Sequence, residues 1–219
     1  VAAAISAGFS SPIAGIVFAH EVVLRHFSVK AIASISLASI SSSILAKEID
    51  FVSPPLQFVN IPFELYNAVP GLILTGIFSA LVAFIFMKSL MYHSKISSSL
   101  NLPFCYRPFI PALICGFIGM FIPEVIGLGS ETIQSLLVEK KTILSLIILF
   151  IAKLFLTVIC IRFNLFGGIF SPALFIGTTL GCMLAVFFEM FIHDANVALF
   201  AVAGMAAVTG CVIGGPIST

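Results

Sequence analysis

Charge is the scarcest commodity in this sequence. Only 9% of its 219 residues are Asp, Glu, Lys or Arg, and tryptophan is absent altogether. An ordinary soluble domain carries about 25% charged residues, because a solvated shell needs ionised side chains to cover an apolar interior. Here 60% of the residues are hydrophobic and the mean hydropathy is +1.23. A soluble globular fold is therefore excluded, and the chain reads as an integral, multi-pass membrane protein whose first partner is the lipid bilayer. An excess of one sign is missing too. The formal net charge is +1, which leaves no basic stripe to neutralise phosphates and excludes a nucleic-acid partner.

Catalytic and metal-binding spacings are also lacking. The 5 cysteines (Cys105, Cys115, Cys160, Cys182, Cys211) form no CxxC pair, and all but Cys105 lie in strongly apolar runs, where free cysteine serves as small hydrophobic filler. The 4 histidines and the two aspartates build no HExxH, paired-Asp or Cys–His arrangement, and GxSxG does not occur. No enzyme, metal site or cofactor is expected. The chain opens on Val1 without the basic region of a signal peptide and closes at Thr219 within an apolar, Gly-rich stretch. These ends suggest a piece of a longer protein, cut inside membrane segments.

A membrane helix needs about 20 mostly apolar residues. The stretches 1–24, 29–46, 69–91, 108–126, 142–161, 167–192 and 196–219 meet or approach that requirement. Lys47-Glu48-Ile49-Asp50, the Ser-rich 94–101, Glu139-Lys140-Lys141 and His193-Asp194 separate them. Period-2 alternation is absent, so the segments are expected to be helices, not the strands of a barrel. The connectors mix both signs of charge and do not orient the chain.

Glycine and proline interrupt these runs at Pro12 with Gly15, Pro108 with Pro111, Gly167-Gly168 before Pro172, and Gly214-Gly215-Pro216. In water such residues cost a helix about 1 kcal/mol for Gly and 3 for Pro. In a membrane they are tolerated where freed backbone lines a cavity or ion site, so discontinuous helices are expected. There is also a faint internal echo. With Val1 set opposite Met205, identities fall at Ala2, Ala3, Pro12 and Ile13, as two-repeat transporters would leave.

Ionisable residues inside such segments are functional candidates, because their burial needs a partner. Glu21 follows His20 and precedes Arg25 by four residues, a spacing that allows an i,i+4 ion pair. His20 could relay protons or simply pack. Lys153 sits inside 142–161, where carbonyls of a neighbouring broken helix would suit it, and Arg162 closes that run as an interfacial or loop residue. The sharpest stretch is Phe166-Gly167-Gly168-Ile169-Phe170-Ser171-Pro172, which opens a long apolar helix. Gly-Gly would turn the backbone sharply, and Pro172 suits a first turn that lacks N–H partners. The amides around Gly168, Ile169 and Phe170, at the positive end of the helix dipole, would then form an anion site without a full positive charge.

These residues resemble the CLC family of chloride channels and chloride/proton exchangers. GGIFSPALFIGTTLG (167–181) is similar to the family's GxFxP signature and following helix, and SSPIAGIVFAHE (10–21) to its Pro-[small]-Gly-[apolar]-Phe-x-x-Glu stretch. FIAKLFLTVIC (150–160) resembles the helix before GxFxP, with Lys153 at a basic position, and AVAGMAAVTGCVIGGPIST (201–219) the second-repeat counterpart of the first segment.

The resemblance implies an all-α CLC-type inverted-repeat membrane fold. Residues 1–219 would form part of one transmembrane domain, from the end of the first repeat to late in the second. It implies a homodimer, chloride or a similar anion as the transported ion, and Ile169 and Phe170 amides at the central site. Glu21 and Val22 would be associated with the pathway or its gating, and Gly167, Pro172, Lys153, Pro12 and Gly15 would be structural. The family's GSGIP serine, GxEGP glutamate and late tyrosine motifs do not occur in the 219 residues. Two positions depart from the family pattern. Val22 stands where proton-coupled members commonly carry an internal Glu, and bulky Arg162-Phe163-Asn164-Leu165-Phe166 precedes GxFxP in place of small residues. The alternatives are a fluoride- or nitrate-selective relative and an inert truncated copy.

Overall fold

Backbone groups inside a bilayer must bond to one another, and among the described residues all regular structure is helical. The computed structural model describes residues 1–49, 65–92, 106–163, 165, 167–189 and 196–218. Asp50, the 94–101 connector, Cys105, Asn164, Phe166, His193, Asp194 and Thr219 lie outside them. The chain divides into two units, Val1–Gln57 with Ile213–Thr219, and Phe58–Val212.

In the first unit the apolar run 1–24 is three short pieces. Helix α1 (Ala2–Phe9) stops at Ser10, which takes a left-handed φ of 51°. Helix α2 (Pro12–Phe18) starts on Pro12 and continues into a π-helical turn, Ala19–Leu24, closed by Arg25 at φ 58°. The break expected at Pro12 and Gly15 thus falls one step earlier, at Ser10-Ser11. Proline has no N–H to lose and a φ already suited to a first turn, so it opens α2 and does not interrupt it.

Helix α3 (Val29–Glu48) is stitched to these pieces by hydroxyls. Ser6 Oγ donates to the Ser39 carbonyl at 2.6 Å, Ser39 Oγ to the Pro12 carbonyl at 2.8 Å, and Ser42 Oγ to the Ala3 carbonyl at 2.8 Å. Ser39 lies mid-way along α3 and Ala3 and Pro12 in the first turns of α1 and α2, so these hydroxyls use the second lone pair that a carbonyl keeps after its own helical bond. Gly15 lies where they converge: a Cβ there would sit 2.7 Å from the Ala2 carbonyl oxygen and 2.9 Å from Ser39 Oγ.

The second unit contains α4 (Leu65–Tyr92), α5 (Phe109–Phe121), a 3₁₀ turn at Pro123–Val125, and α6 (Ser130–Val138). Then come α7 (Ile143–Arg162), α8 (Phe170–Glu189) and α9 (Val197–Ile213), whose last residue falls in the first unit. Pro111 is the third residue of α5, where it starts the helix; the run 108–126 is broken instead at Ile122-Pro123. The run 196–219 likewise ends early, at Ile213, followed by Gly214 at φ 75°. Short α6, with Leu136 and Leu137 buried, has only 9 residues and is too short to cross a bilayer.

A 20-residue helix is about 30 Å long, the thickness of the hydrocarbon core. Among the described residues four helices are long and apolar enough to cross a membrane: Val29–Glu48, Ala68–Met91, Ile143–Arg162 and Phe170–Glu189. The core of the second unit gathers Val82, Ala83 and Phe86 of α4, Val158 of α7, Ala173, Ile176 and Leu180 of α8, and Val208 of α9. Backbones of α8 and α9 touch, since a Cβ on Gly181 would overlap the Phe200 carbonyl and one on Gly204 the Gly177 carbonyl. Small residues permit this approach where lipid supplies no hydrophobic drive between helices. At the connectors, Lys141 pairs with Glu124 at 2.7 Å and Lys140 with Glu189.

Candidate functional site

Helix α8 begins at Phe170, so the amides of its first turn precede the intrahelical ladder. The first bond of that ladder runs from the Ala173 N–H to the Ile169 carbonyl at 3.1 Å, and Pro172 brings no N–H. Gly167, Gly168 and Ile169 are exposed. A Cβ on Gly167 or Gly168 would meet open space. Gly168 is not among the glycines with positive φ, so the sharp turn expected at Gly-Gly is not made through a left-handed Gly168. What these glycines leave is room beside the backbone.

Lys153 lies under this end of α8, buried to 4% exposure. Its Nζ donates to the carbonyls of Val125 and Gly127, each at 2.8 Å, and stands 4.9 Å from the centre of the Phe175 ring. The acceptors are the last residue of the 3₁₀ turn and the loop that runs from it to α6. Gly129 makes that loop fit: its φ is 76°, and a Cβ would press to 2.6 Å of the Phe175 ring. The next carbonyl in the loop, that of Leu128, accepts from Ser171 Oγ at 2.5 Å. Lys153 from α7 and Ser171 from α8 thus hold one loop between them, and that loop in turn fixes the start of α8.

Among the described residues no carboxylate lies within ion-pairing distance of Lys153; the two ion pairs engage other lysines. Its charge is met by carbonyl dipoles, which leaves a positive field in a site of low dielectric. Lys153, Gly167, Gly168 and Pro172 line one cavity of about 320 Å³, together with Cys115 and Cys160. Arg162 ends α7 with its guanidinium 5.9 Å from the Phe163 ring. Past it, the Leu165 N–H returns to the Cys160 carbonyl at 2.9 Å.

The remaining sequence candidates belong to the first unit. Glu21 does not make the i,i+4 pair with Arg25. Arg25 has left the helix with a left-handed φ, and the Glu21 carboxylate accepts from backbone instead. Its Oε1 takes the Ile217 N–H at 3.0 Å, and its Oε2 the Ser218 N–H at 2.8 Å. Val22 packs on the same turn, where a Cβ on Gly215 would come within 2.7 Å of its Cγ2. His20 is buried and stacks on Phe27 with ring centres 5.5 Å apart. Its Nδ1 donates to the Ile16 carbonyl at 2.9 Å, leaving Nε2 without a partner among the described residues.

Three participants escaped the sequence reading: Ser171, the 125–129 loop, and the closeness of Cys115 to Cys160. Gly127-Leu128-Gly129-Ser130 carried a usable signal for the loop, since glycines at this spacing before a helix mark a turn. Nothing in the sequence marked the cysteine pair.

Comparison with known proteins matches the family described as "Voltage gated chloride channel" over residues 1–219. The chain is 27% identical over 229 residues to the H(+)/Cl(-) exchange transporter ClcA of Vibrio cholerae, covering 99% of this chain and 48% of that protein. It is 24% identical over 219 residues to the voltage-gated ClC-type chloride channel ClcB of Escherichia coli, covering 99% and 52%. The chain spans about half the length of the curated relatives it matches. Among solved structures it shares the fold of a CLC-type fluoride/proton antiporter, with a TM-score of 0.76 and 24% identity over 96% of this chain and 53% of that one.

Proposed function

The chain belongs to the voltage gated chloride channel family, and from that membership we propose that the protein carries chloride across a membrane past the N-terminal turn of α8. The single observation that supports this reading most is the pairing of that turn with Lys153. On this reading the backbone amides of Gly168, Ile169 and Phe170 make up the positive end of the helix dipole, since α8 begins at Phe170. Beneath them lies a buried ammonium with no carboxylate within ion-pairing distance among the described residues. An anion held by dipoles and a nearby positive field is bound, yet loosely enough to leave.

On this reading residues 1–219 are part of one transmembrane domain, active as a homodimer, with the GSGIP serine, the gating glutamate and the late tyrosine supplied by the rest of the protein. The pathway needs no cofactor and no covalent chemistry, and Glu21 and Val22 belong to the pathway's surroundings. Val22 offers no proton-accepting group where exchangers commonly carry one, which favours a channel.

The test is efflux from liposomes containing the full-length protein, followed with a chloride electrode and a pH electrode. Chloride release without proportional proton counterflow is expected. Absence of chloride movement under any gradient overturns the reading. A fixed proton stoichiometry overturns only the channel part. Competition with fluoride and nitrate decides which anion is preferred.

A further inference from the structure

Two thiols face each other in the wall of the cavity below the α8 N-terminus, and the transport reading makes no use of them. Cys115 comes from α5 and Cys160 from the last turns of α7, 45 residues apart in sequence, with their sulfurs 3.3 Å apart. Both are free thiols, half-buried, and both line the 320 Å³ cavity that Lys153 also lines. The other two described cysteines are placed differently. Cys182 is buried, with its thiol directed at the Leu136 carbonyl, and Cys211 is exposed.

We propose that Cys115 and Cys160 form a reversible dithiol–disulfide site whose oxidant is a small peroxide. A disulfide bond is about 2.05 Å long, so the sulfurs close by roughly 1 Å, a movement within reach of side-chain rotation. The cavity admits the oxidant, since a water molecule occupies only about 30 Å³ and hydrogen peroxide is little larger.

In the first step one thiolate sulfur attacks a peroxide oxygen. The O–O bond breaks, hydroxide leaves and takes up a proton, and a sulfenic acid remains. The second sulfur then attacks the sulfenic sulfur, the S–O bond breaks, and water departs with the second thiol's proton. Two thiols and one hydrogen peroxide become one disulfide and two waters; the sulfurs give up two electrons and the peroxide oxygens accept them. A thiol reductant reverses the bond by exchange. Because the Cys160 carbonyl receives the Leu165 N–H, the new bond ties α5 to the turn that leads into Gly167-Gly168.

The test treats the full-length protein in liposomes with hydrogen peroxide, blocks remaining thiols with an alkylating agent, and maps peptides by mass spectrometry without reduction. The expected product joins the Cys115 and Cys160 peptides, two hydrogens lighter than their sum, and disappears on adding dithiothreitol. C115S and C160S each lose the link, and the surviving cysteine is trapped by dimedone as the sulfenic acid. C182S and C211S keep it. If Cys115 and Cys160 are still fully alkylated after peroxide has oxidised Cys211, or if they oxidise without joining, the proposal is overturned. The readout is mass, so it stands or falls independently of whether chloride moves.

Discussion

Glu21 and Lys153 face the same difficulty with opposite charges. Each sits in an apolar run with no ion-pair partner among the described residues, and each is met by two backbone groups at a chain break. The carboxylate takes the N–H groups of Ile217 and Ser218; the ammonium gives to the carbonyls of Val125 and Gly127. In a chain this poor in charge, helix interruptions supply the counter-charges that side chains elsewhere would provide. The two sites differ in depth. Lys153 is fully enclosed, whereas Glu21 keeps contact with solvent, so water can replace what the backbone gives Glu21 but not what it gives Lys153.

That contrast can be broken most forcefully at the lysine. K153M strands the carbonyl of buried Val125, at a cost of about 1–3 kcal/mol for an unsatisfied buried group, and removes the bond to the carbonyl of exposed Gly127. The apparent Tm of the full-length protein in detergent is expected to fall further than with any other single change named here. An unchanged Tm would mean that the loop does not depend on the ammonium. G129A comes next: a left-handed φ costs a residue with a Cβ about 1–2 kcal/mol, and the new methyl would also press on the Phe175 ring. A variant as stable as the parent would show that the loop need not lie against α8. E21Q has the smallest expected effect. Glutamine keeps one acceptor oxygen but turns an NH₂ toward the second backbone N–H, and solvent is at hand to compensate. A Tm loss equal to that of K153M would erase the distinction between the two sites.

Much of this arrangement was legible in the residues, and the part that was not has a common cause. The α8 start at Phe170 follows from Gly-Gly and Pro172, and the broken first segment from its proline, because both are local steric effects. The first break falls at Ser10-Ser11, just before Pro12, because proline begins a helix as readily as it ends one. For Lys153 the kind of partner, carbonyls beside a broken helix, was readable but not which carbonyls, and for Glu21 the expected pair with Arg25 is replaced by backbone N–H groups. Lys153 reaches back 28 residues to Val125, and Glu21 reaches forward 196 residues to Ile217. Backbone donors and acceptors carry no signature in the residue letters. The Cys115–Cys160 approach was hidden for a related reason, as helix spacing says which face a cysteine occupies but not which helix will lie across from it.

The glycine contact between α8 and α9 also constrains movement. Their backbones meet at Gly177, Gly181 and Gly204 with no space for even a methyl group. Sliding one helix along the other by a single residue, about 1.5 Å of rise, would bring a side chain where only hydrogen fits. The pair therefore behaves as a welded plate with no longitudinal play, and the amide-bearing end of α8 keeps a fixed depth relative to α9.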